Sequence, residues 1–261
     1  MNIFDCFTYN NEDLILDLRL NYLNKYVKKF IIVESKFTHQ GNEKKKFLNL
    51  NNFKKYVDKI EYHLIEKFPK NLSNWGRENF QRNFIMNSIN NLNDDDYVMI
   101  SDLDEIPNLK NLKNVEKFKY TAFKQLNFSY KINLKNITLP NWYGTKLCKK
   151  KYLKSPQWLR NQKVKKYSFL KFFKIRWNII ENGGWHFSYI MTPEEISKKI
   201  KSFGHAEYNL NKFTNTKIIE QKIKNRIDLF ERNQEYKKIE LDTKFPKVIF
   251  EEKSKFLDWI L

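Results

Sequence analysis

The sequence predicts an α/β protein built on a mixed, mainly parallel sheet flanked by helices. Three observations lead there. The first hundred residues follow a strand, helix, strand period, and Tyr97-Val98-Met99-Ile100 is wholly apolar, as a central strand buried on both faces must be. Asp102, Asp104 and Glu105 then follow that strand at once. Ligands of open α/β sheets bind beyond the carboxyl ends of the strands, so these acids would stand at the rim of a crevice.

Taken in order, Asn2 to Thr8 is rich in β-formers, and Asn10-Asn11-Glu12-Asp13 signals a helix start. Leu14, Ile15, Leu18, Leu20 and Leu23 give that helix an apolar face, and Phe30 to Val33 is a second buried strand. The polar stretch Glu34 to Gly41 leaves its end toward the crevice. Residues 42–58 carry a weak helical pattern, and Ile60 to Ile65 alternates as a strand. Trp75 opens a helix expected to run to about Ile89, with Arg77, Gln81 and Ser88 near one face. Pro107 stops the acidic stretch from continuing as strand. From Phe118 to Trp177 aromatic and basic residues interleave, which favours strands over helix. Gly183-Gly184 leads into the aromatic strand Trp185 to Tyr189. Thr192-Pro193-Glu194-Glu195 reads as a capping box opening another helix. Lys217 to Tyr236 and again Glu251 to Leu261 read as helical and charged, with Pro246 between.

With 261 residues, 41% hydrophobic and 16% aromatic, the chain has ample material for a core. Its net charge of +19 is unevenly placed: no Asp or Glu occurs between Lys117 and Trp177. Such a segment suits a solvated surface, or a face for polyanions or an anionic membrane. Cys6 and Cys148 show neither a pairing pattern nor metal-ligand spacing, and Met1 to Cys6 lacks the features of a signal peptide. A soluble, cytoplasmic protein, peripheral at a membrane if the basic face binds one, is expected. Phosphate-loop, dinucleotide and serine-elbow glycine motifs do not occur.

Asp102 and Asp104, two carboxylates one residue apart past a buried strand, can hold Mn²⁺ or Mg²⁺ against a diphosphate. His186 reads either as a hydrogen-bonded core histidine or as a further ligand from a second element. Arg77 and Arg82 read as a guanidinium clamp for oxyanions or as members of a surface helix in which Glu78 pairs Arg82.

These pieces together resemble glycosyltransferase family 17. They are Phe7 to Arg19 with Glu12, Val33-Glu34-Ser35 with Thr38 and Gly41, and Trp75 to Arg82. Ile100 to Pro107, Gly184 to Tyr189 with Pro193-Glu194, and Asp228 to Arg232 complete the ordered set. The set departs from the family pattern at Leu14, where an acid is expected. The resemblance implies a GT-A-like fold over residues 1–215, with 216–261 a helical extension packed on the same domain. It implies a UDP-sugar donor, an Asp-x-Asp cation site of Asp102 and Asp104, and His186 as a further metal ligand. Glu12, Glu34, Arg77, Arg82 and Asp102 become candidates for the nucleotide side.

The expected activity is inverting transfer of a sugar, N-acetylglucosamine in first place, to a hydroxyl of a glycan or lipid-linked glycan. A carboxylate must then take the acceptor proton. The acid-free segment supplies none, so Glu105 comes first as base, with Glu181, Glu194 and Glu207 as alternatives. Trp142, Tyr143 and Trp158 would stack on acceptor sugars, and the lysines of 146–154 would meet an anionic acceptor. A nucleic-acid-binding protein would use the same basic aromatic face, with a steep salt dependence, but hydrolyse no nucleotide-sugar, and a non-catalytic glycan-binding module would keep that face yet bind no metal.

Overall fold

A computed structural model describes residues 1–164 and 175–261. The strand, helix, strand period appears as β1 (Ile3–Thr8), α1 (Asp13–Leu23), β2 (Lys29–Ser35) and β3 (Ile60–Ile65). Next come α2 (Asn74–Asn83), α3 (Met86–Ile89), β4 (Tyr97–Asp102) and β5 (Glu105–Pro107). The helix expected from Trp75 to Ile89 is thus two helices, with a turn at Phe84 and Ile85 between them. The 42–58 stretch becomes a run of 3₁₀ turns, Leu50–Lys59.

The basic aromatic segment supplies β6 (Tyr120–Phe123), β7 (Gln125–Ser129), β8 (Leu134–Asn136), β9 (Asn141–Trp142) and β10 (Lys146–Lys149). It also holds a helix that the strand expectation missed, α4 (Pro156–Asn161). Ser155 caps it, accepting from Trp158 N at 3.1 Å, and Pro156 occupies the first turn where its missing N–H costs nothing. The expectation for residues 165–174 lies outside the described residues. After them come β11 (Trp177–Ile180), β12 (Gly184–Ser188), α5 (Pro193–Ser202), α6 (Asn211–Thr214), α7 (Thr216–Lys224) and β13 (Tyr236–Lys238). The Thr192/Glu195 capping box is present. The C-terminal segment is therefore not helical throughout, since β13 pairs with β8.

Two sheets result. The larger has the order β11-β6-β10-β4-β1-β2-β3, with β3, β2, β1 and β4 mutually parallel. The period-two alternation of its central strands divides their side chains between two cores. Phe7, Phe30, Ile32 and Met99 face α1 and the C-terminal residues Val248 and Phe256. Phe4, Ile31, Val33, Val98 and Ile100 face α2 and α3 through Phe80, Phe84 and Ile89. Each such fully buried side chain stabilises by roughly 1.5–3 kcal/mol, which fixes the register.

The second sheet, β13-β8-β7-β12-β5 with β9 on β7, is largely antiparallel. Its far end packs on α5 and α7 through Tyr130, Leu134, Ile196, Ile200 and Ile219. Between β4 and β5 the chain passes from one sheet to the other through Leu103 and Asp104, and it crosses again between β6 and β7 at Lys124. Gly184 permits the return pairing: at φ +123 it lies so close to β5 that a Cβ would sit 2.1 Å from the Ile106 carbonyl. Among the described residues no helix is long and apolar enough to cross a membrane.

Candidate active site

The carboxyl ends of β1, β2 and β4 open into a cleft of about 540 Å³ where the two sheets meet. That is ample for a nucleotide-sized ligand.

Its acidic floor is held from beneath by Arg19. This residue of α1 is fully buried and forms a two-pronged ion pair with the equally buried Asp5 of β1, at 2.6 and 2.8 Å. The remaining donors go to the acidic loop. Nη1 donates to the carbonyls of Asp102 and Leu103, both at 2.9 Å, and of Glu105 at 3.1 Å, while Nη2 donates to Ser101 Oγ at 2.6 Å. A guanidinium is suited to this because it presents five donors in a rigid plane.

Asp102 does not stand free. Oδ1 accepts from Arg82 Nη2 at 2.9 Å and Oδ2 from Arg160 Nη2 at 2.8 Å. Burial alone would raise its pKa, but the Arg160 and Arg82 guanidiniums outweigh that and hold the carboxyl well below the usual carboxylate range.

Asp104 is differently placed. Oδ1 lies 3.7 Å from His186 Nε2, and Oδ2 lies 3.8 Å from Lys199 Nζ of α5. Lys199 pairs more closely with Glu12, at 2.7 Å. Burial pushes the Glu12 carboxyl up, opposed by Lys199. Burial would discharge Lys199, but Glu12 and Asp104 raise its pKa and keep it cationic.

His186 stands on β12 opposite Glu105, its ring stacked on Trp142 at 4.8 Å. Asn127 Nδ2 donates to the Leu139 carbonyl, which leaves Asn127 Oδ1 to accept from His186 Nδ1 at 3.0 Å. Nε2, the other ring nitrogen, is turned toward Asp104. Metal-binding histidines are oriented in the same way, with the second ring nitrogen donating to a carbonyl or carboxylate. Asp104 and His186 therefore fit a divalent cation as a two-residue ligand set, the remaining positions suiting water and phosphate oxygens. Asp102, with an arginine on each oxygen, does not fit as arranged. Among the described residues no group of three or more His, Cys, Asp or Glu is placed to hold a metal.

The other expected site residues are dispersed. Glu105 borders the cleft but is buried and saturated. Oε2 accepts from Asp102 N at 2.9 Å, and Oε1 accepts from Trp142 Nε1 at 2.6 Å and Arg160 Nη2 at 2.8 Å. Gly144 lies directly against this carboxylate, where a Cβ would come within 1.9 Å of Cδ. Glu181 pairs with Lys124 at 2.8 Å in an exposed position away from the cleft walls. Glu207 is exposed, paired with His205 at 2.6 Å, and Glu194 sits in the first turn of α5. Glu34 is fully buried and accepts from Phe47 N, Leu48 N, Lys44 and Tyr62, so it secures the loop after β2 and does not line the cleft. Arg77 donates to the His39 carbonyl at 3.1 Å from behind the same loop. Arg82 and Glu12 do reach the cleft.

Of the aromatic residues expected on the acceptor side, Trp142 lines the cleft, whereas Trp158 packs in the core behind α2. The lysines of 146–154 do not form a free basic face. Lys149 and Lys151 both meet Asp95 at 2.8 Å, Lys150 faces Asp94 at 3.4 Å, and Lys146 is buried. Asp94 and Asp95 precede β4, so this cluster lies at the end of the strand opposite the cleft. Arg160, Lys199 and Asn127 are cleft residues that sequence reasoning missed. Their partners are remote in sequence, and only the Ser155-Pro156 helix start hinted that Arg160 belonged to an ordered element.

Residues 1–249 match the sequence model of glycosyltransferase family 17. The β-1,4-mannosyl-glycoprotein 4-β-N-acetylglucosaminyltransferase of Homo sapiens is 28% identical over 115 residues, 40% of this chain and 22% of that protein. The Mus musculus protein of the same name is 27% identical over 115 residues, 40% of this chain and 21% of that protein. The chain thus matches about a fifth of the length of these relatives. The crystal structure of galactosyltransferase LgtC with donor and acceptor sugar analogues aligns with 58% of this chain and 59% of its own, at 12% identity and a TM-score of 0.32.

Proposed function

Because the chain belongs to glycosyltransferase family 17, we propose that it transfers a sugar, N-acetylglucosamine in first place, from a UDP-sugar to a hydroxyl of a glycan acceptor, with inversion and with the help of a divalent cation. The observation that carries this reading is the Asp104 and His186 pair, 3.7 Å apart with the imidazole tautomer set by Asn127, at the carboxyl end of the parallel strands. A bound Mn²⁺ or Mg²⁺ would supply Lewis-acid stabilisation of the departing diphosphate.

The chain's own residues do the rest. Arg82, Arg160 and Lys199 converge on the same cleft and offset the charge that develops on the leaving oxygens. Arg19 fixes the acidic loop, and Trp142, stacked on His186, offers an apolar ring face to a sugar. The acceptor proton passes to a cleft carboxylate. Glu105 alone among the four acids first expected in that role borders the cleft, and three donors already occupy it. It serves instead to fix Arg160 and the Asp102 amide.

The test is a thermal-shift screen of nucleotide-sugars with and without Mn²⁺, on wild type, Asp104→Ala and His186→Ala. Mn²⁺ should add to the stabilisation of wild type by UDP-N-acetylglucosamine and should add nothing in either variant. Equal shifts in all three proteins would remove the cation site, and a stronger shift with another nucleotide-sugar would replace the donor.

A further inference from the structure

Taking the proposed diphosphate-leaving reaction as given, we infer that Asp102 is not a cation ligand but a positioning residue: it spaces Arg82 and Arg160 as a built-in clamp for the diphosphate that works without a divalent cation.

The two guanidiniums reach Asp102 from separate helices, Arg82 from α2 and Arg160 from α4, one on each carboxylate oxygen. The helices are themselves tied together. Arg82 Nη1 donates to Gln157 Oε1, and Gln157 N donates to Asn83 Oδ1 at 3.0 Å. Arg160 is fixed twice more, through its own Nη2 bond to Glu105 and through its carbonyl, which accepts from the buried Lys146 ammonium.

Each arginine keeps donors in reserve. Arg82 Nε is buried without a partner among the described residues, which is costly unless something completes the site. Arg160 donates from Nη2 alone among the described residues, leaving Nε and Nη1. Both side chains line the cleft. Planar guanidiniums with unused donors, held at fixed separation, match the oxygens of adjacent phosphoryl groups. A cation on Asp102 would sit beside two arginine charges already bonded to its oxygens, at 2.9 and 2.8 Å, whereas among the described residues the Asp104 carboxylate has no charged partner closer than 3.7 Å.

The experiment measures two affinities on the full chain. Inorganic pyrophosphate is titrated calorimetrically in EDTA, and Mn²⁺ is titrated alone by electron paramagnetic resonance. Wild type should bind pyrophosphate in EDTA. Arg160→Met should weaken that binding by about tenfold or more, the worth of one charge-assisted hydrogen bond. Arg160→Lys should fall between, and Asp104→Asn should stay within about twofold of wild type. For Mn²⁺ the order reverses: Asp104→Asn should lose binding, whereas Asp102→Asn should keep it. Circular dichroism checks that each variant is folded, and Arg160→Lys keeps the comparison if Arg160→Met is not. Pyrophosphate binding that requires Mn²⁺ in wild type, or loss of Mn²⁺ binding in Asp102→Asn as complete as in Asp104→Asn, overturns the clamp. Pyrophosphate binding in EDTA by a protein that ignores every UDP-sugar would keep the clamp and sink the donor assignment.

Discussion

Replacing Arg19 by Met should separate what this arginine does for the fold from what it does for the site. The substitution keeps an unbranched apolar stem but strands the Asp5 carboxylate, which has no exposure. Removing one partner of a buried pair costs about 3–5 kcal/mol. The Asp102, Leu103 and Glu105 carbonyls lose their shared donor as well. A loss of about 4 kcal/mol is a large part of the roughly 5–15 kcal/mol that stabilises a domain. At about 2 °C per kcal/mol for a chain of this size, the melting temperature should fall by roughly 8 °C. Asp5→Val combined with Arg19→Met replaces the pair by apolar groups and should recover at least half of that loss, because an isolated charge no longer remains. It should not recover Mn²⁺ affinity, since the loop from Ser101 to Glu105 stays untethered. Melting curves and Mn²⁺ titrations on the four proteins of the cycle decide the matter. A single variant that melts within about 2 °C of wild type would refute the ion-pair argument, and a double variant that binds Mn²⁺ normally would refute the tether.

Two further predictions concern the neighbours of Arg160. Burial, followed by the Arg160 charge, lowers Lys146 to about 8, below the roughly 10.4 of an unfolded lysine. Above pH 8 the folded chain then binds fewer protons than the unfolded one, so stability from this group rises with pH, by about 1 kcal/mol between pH 7 and 9 relative to Lys146→Met; denaturant titrations at the two pH values should show that gain, and a fall would contradict it. Gly144→Ala would force a methyl into the Glu105 carboxylate and should cost about 1–3 kcal/mol while weakening pyrophosphate binding through Arg160; wild-type stability in urea would mean that Glu105 does not lie against Gly144.

The parallel half of the fold was legible because its strands are buried on both faces and so read as unbroken apolar runs, Phe30 to Val33 and Tyr97 to Ile100. The position of the acids followed from the same reasoning. The proximity of His186 to Asp104 came from family resemblance, not from spacing. The antiparallel sheet was harder to read because β8 and β9 are only three and two residues long, too short to show a period. Helix α4 was overlooked among aromatic residues that favour strands, although its cap was in plain sight. Charge pairings were least accessible. Nothing local marks Arg160 as the partner of Asp102 or brings Lys149 and Lys151 across the surface to Asp95, because each depends on segments brought together only by folding. Glu34 and Arg77 sit close in sequence to cleft residues, yet their side chains turn to the loop behind the cleft.

The crossing between the sheets at Leu103 and Asp104 has a consequence for the two aspartates. They are one residue apart in the chain, yet Asp102 closes a parallel strand while the Asp104 carbonyl pairs with Phe187 of the antiparallel sheet, at 2.8 Å. An acidic pair confined to one loop would share one electrostatic environment and one task. Divided between two frameworks, these carboxylates are free to specialise, the first neutralised by cations that the chain itself carries and the second, on the function proposed above, left for a cation drawn from solution.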